Sequence, residues 1–490
     1  MNLGQTKPER EHLLRAIVTI SVAISGTLAL YRNIPISSLP DNSESIVGGF
    51  RILFGLLLIF RLWRSQEALP MIWGWENTER LKQFWKVWYV LAFFLLVGFL
   101  TPAVTLASFI LGLYIFRKSF YYSIEDIYFQ LIGLNLIFLN SGLSFSLDRV
   151  LGIHEIVSST IPLIAVNFLF WSVCLTVMSA GFEKFMNPTW RKGLGFYYFI
   201  GLPHFVRKPF KFLRQQKRLC LFFGYFTVFG QLSLLPSLFL LYFRDFIILE
   251  QLIFGILLFT LVDLSFIPQI YALQFSALLI FDLMPAESVS SQTPPIFWLG
   301  LLSTIWIASV SQSFGSPILS NSATSKLVRF TTGATQFKVF TEAHLFGLYL
   351  YRLVSKIDDR EIYLLDAFND DGSCGAYQHL HPRYFQGAMY PVTDTCIARL
   401  HHREKEGLKL PRLIDLCYAG ITSNLGRAEN CRSVEIQVKA VNPDNDYCAQ
   451  TDRWLDREWT TIGECKLVEE TPRYEWTNEP PLLKIITRQV

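Results

Sequence analysis

The sequence predicts a polytopic α-helical membrane protein of about 8–10 spans with a small α+β extramembrane domain at its C-terminal end. Three observations lead to this prediction. Of the 490 residues, 51% are hydrophobic and the mean hydropathy is +0.32, which is too apolar for an ordinary soluble globule. Phenylalanine occurs 42 times, mostly before residue 315. After that point charges become dense, and apolar residues alternate with polar ones.

Ten apolar stretches are candidate membrane spans. Several are short, and some run together across Gly or Pro, so the number of spans is open by about two. The stretches are residues 15–31, 46–62, 86–100, 102–116, 127–141, 160–181, 219–243, 246–263, 265–284 and 296–312.

The composition divides the chain into four parts. Residues 1–44 form an N-terminal segment with one extra candidate span, and residues 45–314 form the main helical membrane domain. Residues 315–336 are rich in Ser, Thr and Gly, which is typical of a linker. Residues 337–490 are long enough to bury a core of their own, so we expect a separate cysteine-rich α+β domain there.

Hydrophobic alternation and helical spacing divide this last domain into elements. The first three strands are expected to close on the turn Asn369–Gly372. The predicted strands are residues 337–341, 348–354, 361–368, 434–441 and 461–468, and the predicted helices are residues 393–402 and 410–423.

Six of the eight cysteines lie in this domain. An even, dispersed set in a small domain is typical of disulfides in an oxidising compartment, although six reduced, buried thiols would fit the same pattern. The pairing is open, and no spacing indicates a metal site. The cysteines are Cys374, Cys396, Cys417, Cys431, Cys448 and Cys465.

The charges give conflicting indications of orientation. The run from Arg207 to Arg218 is basic without an acid, and such loops usually face the cytoplasm. The cysteines favour the opposite side, although the number of intervening spans would put the loop and the C-terminal domain on one face. We give the cysteines more weight and expect an extracytoplasmic C-terminal domain. The net charge of +4 does not indicate nucleic acid, so the lipid bilayer is the expected partner.

The most informative segment is residues 178–193, which follows the apolar run Ile161–Val177. Glu183 and Lys184 stand side by side there, and Trp190 follows. Ionisable residues at the end of a span point to function. Trp and Lys at a helix end also serve as simple anchors in the headgroup layer, so both interpretations stand.

Four local features resemble the horizontally transferred transmembrane (HTTM) domain family, whose best-known member is the vitamin K-dependent gamma-carboxylase. Together they cover about residues 45–390. They are an Arg51 embedded in Gly49–Gly55, the segment Asn140–Arg149 with Asp148, the segment Ser179–Lys184 followed by Trp190 and Gly193, and the stretch Phe337–Thr341 leading to an Asp371–Gly372 turn.

The resemblance implies a quinol-linked carboxylase or epoxidase type of enzyme, that is, a carboxylase-like lyase, in a bacterial-type plasma membrane. Lys184 would be the base that deprotonates a quinol similar to vitamin K hydroquinone, and a peptide or protein glutamate would be the substrate. The supporting candidates are Arg51, Asp148, Glu183, Trp190 and Gly193.

Glu183 departs from the family pattern. The animal carboxylase has a second lysine there, whereas a carboxylate stabilises a neighbouring ammonium and opposes its use as a base. Consecutive helix positions point about 100° apart, so Glu183 and Lys184 need not touch. The alternative is a non-catalytic member of the family, which would act in peptide maturation, immunity or partner binding through the C-terminal domain. Arg51 needs a partner inside its span, with Asp148, Asp263 and Glu183 as candidates.

Overall fold

The structure is a computed structural model in which a set of helices precedes a five-stranded sheet. All structural statements below concern the residues that it describes. These are residues 7–32, 43–66, 75–118, 124–153, 163–201, 208–234, 244–261, 267–282, 296–317, 322–336, 349–357, 360–365, 433–440, 459–468 and 471–476.

Every one of the ten apolar stretches overlaps a helix, which confirms their helical character. A 3-10 helix, Lys208–Gln215, lies within the basic run. The α-helices are α1 (Lys7–Arg32), α2 (Ser43–Ser65), α3 (Trp75–Val97), α4 (Thr101–Lys118), α5 (Ile124–Phe138), α6 (Leu147–Val150), α7 (Leu163–Met186), α8 (Pro188–Arg191), α9 (Gly195–Gly201), α10 (Lys217–Leu232), α11 (Arg244–Leu261), α12 (Ile267–Asp282), α13 (Ile296–Ser313) and α14 (Ser322–Thr332).

Two stretches of these helices are long and apolar enough to cross a membrane by length and composition, Glu44–Trp63 and Ile164–Met186. The apolar stretch Ile248–Leu261 is shorter. A buried core helix of a soluble protein passes the same test, and residues 164–184 of the second stretch are all buried, whereas Phe185 is exposed. The predicted helical bundle is therefore confirmed, while the number of spans stays a prediction.

Helix α7 forms the centre of the bundle. It packs against α10, α12, α13, α5 and α1, so no face of it is left open. Large apolar side chains such as Phe168 and Trp171 fill the space around it. Between Asn167 and Glu183 the polar side chains on this helix are small, and the Thr176 hydroxyl donates to the carbonyl of Ser172 on the preceding turn. A nearly all-apolar helix of this kind is what a fully buried position requires.

The outer helices are apolar on the face that points away from the bundle, and several charged side chains are buried inside it. On α1 the exposed residues recur with helical spacing, and α10 and α11 show the same pattern. The exposed apolar residues of these three helices are Leu13, Ile17, Ile20, Ile24, Leu219, Phe222, Tyr225, Phe229, Leu249, Leu252, Ile253, Ile256 and Phe259. The buried charged residues are Arg15, Arg51, Arg61, Glu125, Asp126, Asp148, Glu183, Lys184 and Glu250.

The predicted linker, residues 315–336, contains a helix, so that interpretation of its Ser, Thr and Gly content is corrected. Helix α14 packs on α13, α5 and α4 and buries Val328 and Thr332 one turn apart. Gly315, just after α13, and Gly333, just after α14, have φ angles of 61° and 70°. Such a conformation suits glycine, so each residue marks the turn at the end of its helix.

The strands form one antiparallel sheet in the order β2-β1-β3-β4-β5. Four of the predicted strands are confirmed with small shifts in their bounds, whereas β5 was not predicted. It contains Pro472, which breaks the strand pattern but is tolerated because β5 is an edge strand. The strands are β1 (Tyr349–Ile357), β2 (Arg360–Leu365), β3 (Ser433–Ala440), β4 (Thr460–Val468) and β5 (Thr471–Trp476).

Strands β1 and β2 pair as a hairpin, with Ile357 opposite Arg360. The predicted turn at residues 369–372 lies outside the described residues, as do the predicted strand 337–341 and the predicted helices 393–402 and 410–423. Among the six cysteines of this domain, Cys465 lies on β4 opposite Val434 and Tyr474. The other five lie outside the described residues, and the disulfides stay a prediction.

Candidate functional site

The candidate site lies in the last turn of α7 and in the short helix α8 that follows. Helix α7 continues to Met186, so Glu183 and Lys184 lie within the helix rather than beyond it. The Asn187 side chain then accepts a hydrogen bond from the Thr189 amide at 2.8 Å, which starts α8 with Pro188 at its first position. The restart of the helix brings the Trp190 ring close to the Lys184 side chain.

Gly193 ends the short helix. Its amide donates to the carbonyl of Trp190 at 2.9 Å, and its φ of 75° is the left-handed conformation that follows many helix ends. A side chain at the neighbouring glycine, Gly195, would overlap the Trp190 ring, so the ring packs directly on that backbone. The Trp–x–x–Gly pattern of the sequence therefore builds a turn that holds the indole in place.

Glu183 forms a buried ion pair with Arg15 of α1. The two side chains are 5% and 6% exposed as residues, and Arg15 Nη1 donates to Glu183 Oε1 at 2.5 Å. The same carboxylate accepts from Gln336 Nε2 at 2.7 Å, and Arg15 also donates to the carbonyl of Phe314 at 2.9 Å. Glu183 thus joins α7 to α1 and to the residues that follow α14.

Lys184 points in another direction, to α10. Its residue is 4% exposed, and Nζ lies 3.1 Å from Gln231 Oε1 and 5.6 Å from the centroid of the Trp190 ring. A longer contact of 3.4 Å reaches the carbonyl of Ala180 in its own helix. Within the described part of the chain Lys184 forms no ion pair, because the neighbouring carboxylate is held by Arg15.

Gly181 allows the contact between Lys184 and Gln231. A Cβ atom at this position would lie 2.7 Å from Gln231 Cβ and 3.1 Å from the Gln231 carbonyl carbon. The first distance is shorter than real Cβ atoms show and the second is unusually tight, so a glycine at this position lets α7 and α10 approach this closely. The small residues before Lys184 therefore have a direct role in the geometry of the site.

Arg51 lies in a second buried cluster. It is 0% exposed, and its guanidinium donates to five backbone carbonyls. These carbonyls come from the end of α3 and from the segment after α5, so Arg51 ties two of the motifs that carry the family resemblance to one another. The acceptors are Leu95, Leu96, Ser141, Ser144 and Phe145, at 2.6–3.4 Å.

Asp148 belongs to the same cluster and caps helix α4. Its two oxygens accept from the amides of Leu100 and Thr101 at 2.6 and 2.7 Å, which satisfies donors that the helix leaves open. Its charge lies close enough to Arg51 to act on it. Arg51 makes no hydrogen bond to Glu183 or Lys184. The predicted site residues therefore fall into two clusters: Arg51 with Asp148, which we call the clamp, and Lys184 with Glu183 and Trp190, which form the candidate reaction site.

Two buried cations were missed by the sequence analysis. Arg15 was counted only as the first residue of an apolar stretch, because its partner lies far along the chain. Arg61 lies in α2 and pairs with Asp126, at 3.0 Å, and with Glu125, at 3.3 Å. The available signal was an Arg inside an apolar helix, which is the same signal that singled out Arg51.

The cavities of the described residues are small. The two best formed have volumes of about 10 Å³ each, which is room for a single water. Gln130 lines both, and Lys184 lines neither. Within the described ranges no group of three or more His, Cys, Asp or Glu side chains is arranged to hold a metal ion.

Comparisons with protein-family models, with curated proteins and with solved structures found no match to this chain. Function is therefore inferred from the geometry of the buried polar groups.

Proposed function

We propose that this chain is a multi-pass membrane enzyme of the HTTM type, in which Lys184 is the base that removes a proton from the substrate. One observation carries the proposal. The Lys184 amine is buried against an amide oxygen and an indole ring, and the adjacent carboxylate of Glu183 is turned away and held by Arg15.

Two features of the bundle support a membrane location. Helices α1, α10 and α11 expose long rows of Leu, Ile and Phe, whereas soluble monomers rarely expose contiguous apolar surface of that extent. Charged side chains are instead buried between the helices, where Arg15, Arg61 and Arg51 find oxygen acceptors. In a bilayer this is the expected distribution, since ionisable residues of spanning helices face the interior of the bundle.

The surroundings of Lys184 suit a group that gains and loses a proton. Burying an ammonium without a counter-charge is costly, so a neutral amine is well tolerated at this position. When the amine takes a proton from a substrate, the bond to the substrate hydrogen breaks, an N–H bond forms, and the substrate keeps the electron pair. The ammonium then has Gln231 Oε1 as acceptor and the face of Trp190 as a cation–π partner, a contact that contributes about 0.5–2 kcal/mol.

A quinol is the cofactor that the family resemblance implies, and the described cavities do not fit it. Each of the two best-formed cavities has room for about one water, and neither is lined by Lys184. No step of the proposed reaction is therefore routed through a quinol, and the quinol enters only as a probe in the experiment.

The test is the activity of Lys184→Ala in purified, detergent-solubilised protein. The assay supplies a glutamate-containing peptide, a reduced naphthoquinone and labelled bicarbonate, and it follows label in the peptide together with quinone epoxide. Because general-base catalysis contributes roughly 10²–10⁴-fold, Lys184→Ala should lose at least that much. Lys192→Ala, at an exposed lysine of the same segment, is the matched control. Equal activity of Lys184→Ala and wild type would refute the assignment.

The closed packing favours a second candidate, a non-catalytic membrane protein of the same family that works through its C-terminal domain. In that case Lys184 is only a buried polar group, and Lys184→Met should raise the stability without any loss of function, because the desolvation cost disappears. A reduced naphthoquinone should then leave the unfolding temperature of wild type unchanged. A ligand-induced rise that is lost in Lys184→Met would instead favour the enzyme.

A further inference from the structure

A second buried ionisable group, Glu250, lies on the other side of α10 from Lys184. It belongs to α11 and is 6% exposed. Its carboxyl oxygen Oε1 rests against the backbone of Gly230, where any side chain would overlap it. In the described part of the chain Glu250 forms no ion pair, and the polar side chains that interact with it are Ser233 and Gln251.

The hydrogen bonds around Ser233 indicate where the protons are. The Ser233 oxygen lies 2.6 Å from the carbonyl of Gly230 and 2.9 Å from Glu250 Oε2. A hydroxyl has one proton, and a carbonyl can only accept. The Ser233 hydroxyl can donate to the Gly230 carbonyl or to Glu250 Oε2, and the contact to Gly230 is the shorter one. With the proton on the Gly230 side, the contact to Glu250 is a full hydrogen bond only when the carboxyl group is protonated and donates to Ser233.

Energetics favour the same protonation state. A carboxylate buried without a cation is costly, whereas a carboxylic acid is neutral and needs only hydrogen-bond partners. Among the described residues, the side chains that interact with Glu250 are neutral: Gln251 lies beside it, and Tyr271 is close enough to be affected by its charge. Gln251 also belongs to a buried row of hydrogen-bonded polar side chains. In this row Gln274 donates to Gln251 at 2.7 Å, and the Tyr128 hydroxyl donates to Gln274 at 3.2 Å.

Residues 230–233 of α10 connect this acid to the candidate base. Gln231 is the acceptor for Lys184. Gly230 packs against Oε1 of Glu250, and the Ser233 hydroxyl is hydrogen-bonded to its Oε2. All of them lie within one helical turn. A change of charge on one side of the turn therefore acts on the group at the other side through poorly screened surroundings.

We propose that Glu250 is held as a neutral carboxylic acid and is the second proton-exchanging group of the Lys184 site. The coupling to Lys184 rests on the proposed function, whereas the protonation of Glu250 does not. Glu250 acts through residues 230–233 and is a positioning residue. When Lys184 takes the substrate proton and becomes an ammonium, Glu250 gives its own proton to water: the O–H bond breaks, the electron pair stays on the carboxylate, and the negative charge offsets that of the ammonium. The two groups then alternate between a neutral pair and an ion pair, with one proton taken from the substrate and one released to water.

The first experiment is infrared spectroscopy of the purified protein at neutral pH. Wild type should show a C=O stretching band of a protonated carboxylic acid that is lost in Glu250→Gln. The variant should fold, because a glutamine amide can donate to Ser233 in place of the acid. Glu44→Gln, at a partly exposed glutamate, should leave the band unchanged. If the wild-type spectrum contains no band that Glu250→Gln removes, Glu250 is ionised and the proposal is overturned.

The second experiment separates the coupling from the acid itself. The band of Glu250 is titrated to alkaline pH in wild type and in Lys184→Met, and the pH of its loss should differ between them. An unchanged midpoint would overturn the coupling while leaving the protonated acid in place. Failure of the catalytic proposal would be recognised separately, by full activity in Lys184→Ala.

Discussion

Replacing Arg15 with Met removes the cation that holds the buried carboxylate of Glu183. The arginine makes three kinds of contact: to Glu183, to the carbonyl of Phe314, and to Glu11 on its own helix. After the change Glu183 keeps only the hydrogen bond from Gln336. A buried charge that has lost its partner typically destabilises a fold by about 3–5 kcal/mol, and this is the expected effect of Arg15→Met.

Replacing Glu183 instead of Arg15 should reduce the stability by a smaller amount. In Glu183→Gln the arginine retains Glu11, which is half exposed, and the carbonyl of Phe314. Its charge is therefore still compensated, and we expect a loss of about 1–3 kcal/mol, that of one buried hydrogen-bonded partner. The double variant leaves no buried charge at this place. It should be more stable than the sum of the single effects predicts, by about 0.5–3 kcal/mol.

The measurement is denaturant unfolding of all four proteins in the same detergent, analysed as a double-mutant cycle. The surface pair Arg149–Glu44, whose side chains are 56% and 37% exposed, serves as the control. Arg149→Met should cost less than about 1 kcal/mol because exposed pairs contribute little. Equal losses in Arg15→Met and Arg149→Met, or an additive cycle, would refute the assignment of Arg15 and Glu183 as a buried pair.

Three further substitutions test the packing of the two clusters. Gly181→Ala should destabilise the protein by about 1–3 kcal/mol and separate Lys184 from α10, whereas Gly49→Ala, where a Cβ meets nothing within 4 Å, should be neutral or stabilising in the same unfolding assay. Arg51→Lys should cost about 2–4 kcal/mol, since an ammonium cannot serve five carbonyls in two segments, and a cost below that of an exposed Arg→Lys change would contradict the clamp. Asp148→Ala should cost about 1–2 kcal/mol and increase amide hydrogen exchange at the start of α4, and unchanged exchange there would rule out the cap.

The helices could be predicted because each depends on a local property of the sequence. In an apolar run as long as α2 or α7, side chains and backbone are buried together. A helix satisfies the backbone N–H and C=O groups within the run itself. The strands β1 and β3 were recognised for the same reason, through alternation. The prediction failed where tertiary contacts override the local pattern, as in α14, whose polar composition resembles a linker until Val328 is packed against the bundle.

The site could be predicted only in part. Lys184, Trp190 and Gly193 could be singled out because they lie in one short segment of the sequence that resembles a family motif, and the structure places the Trp190 ring beside Lys184. Arg15 could not be found in this way, because its contact with Glu183 crosses 168 positions of the sequence. The inference that the charge of Glu183 acts on Lys184 followed from adjacency in the chain, and it holds in the structure. The sequence could not show that the helix directs the two side chains to different hydrogen-bond partners, Arg15 and Gln231.

The contrast between the two buried cations of the predicted set indicates which of them is built for stability. Arg51 has five donors and five backbone acceptors, so its charge is dispersed over fixed carbonyls and any movement would leave several of them unpaired. Lys184 has three donors, and its closest acceptor is a flexible amide oxygen at 3.1 Å. A guanidinium also keeps its proton under all physiological conditions, whereas an amine can release one. Arg51 is therefore the better suited of the two to a rigid structural role, and Lys184 is the one whose chemistry agrees with the proton transfer that we propose.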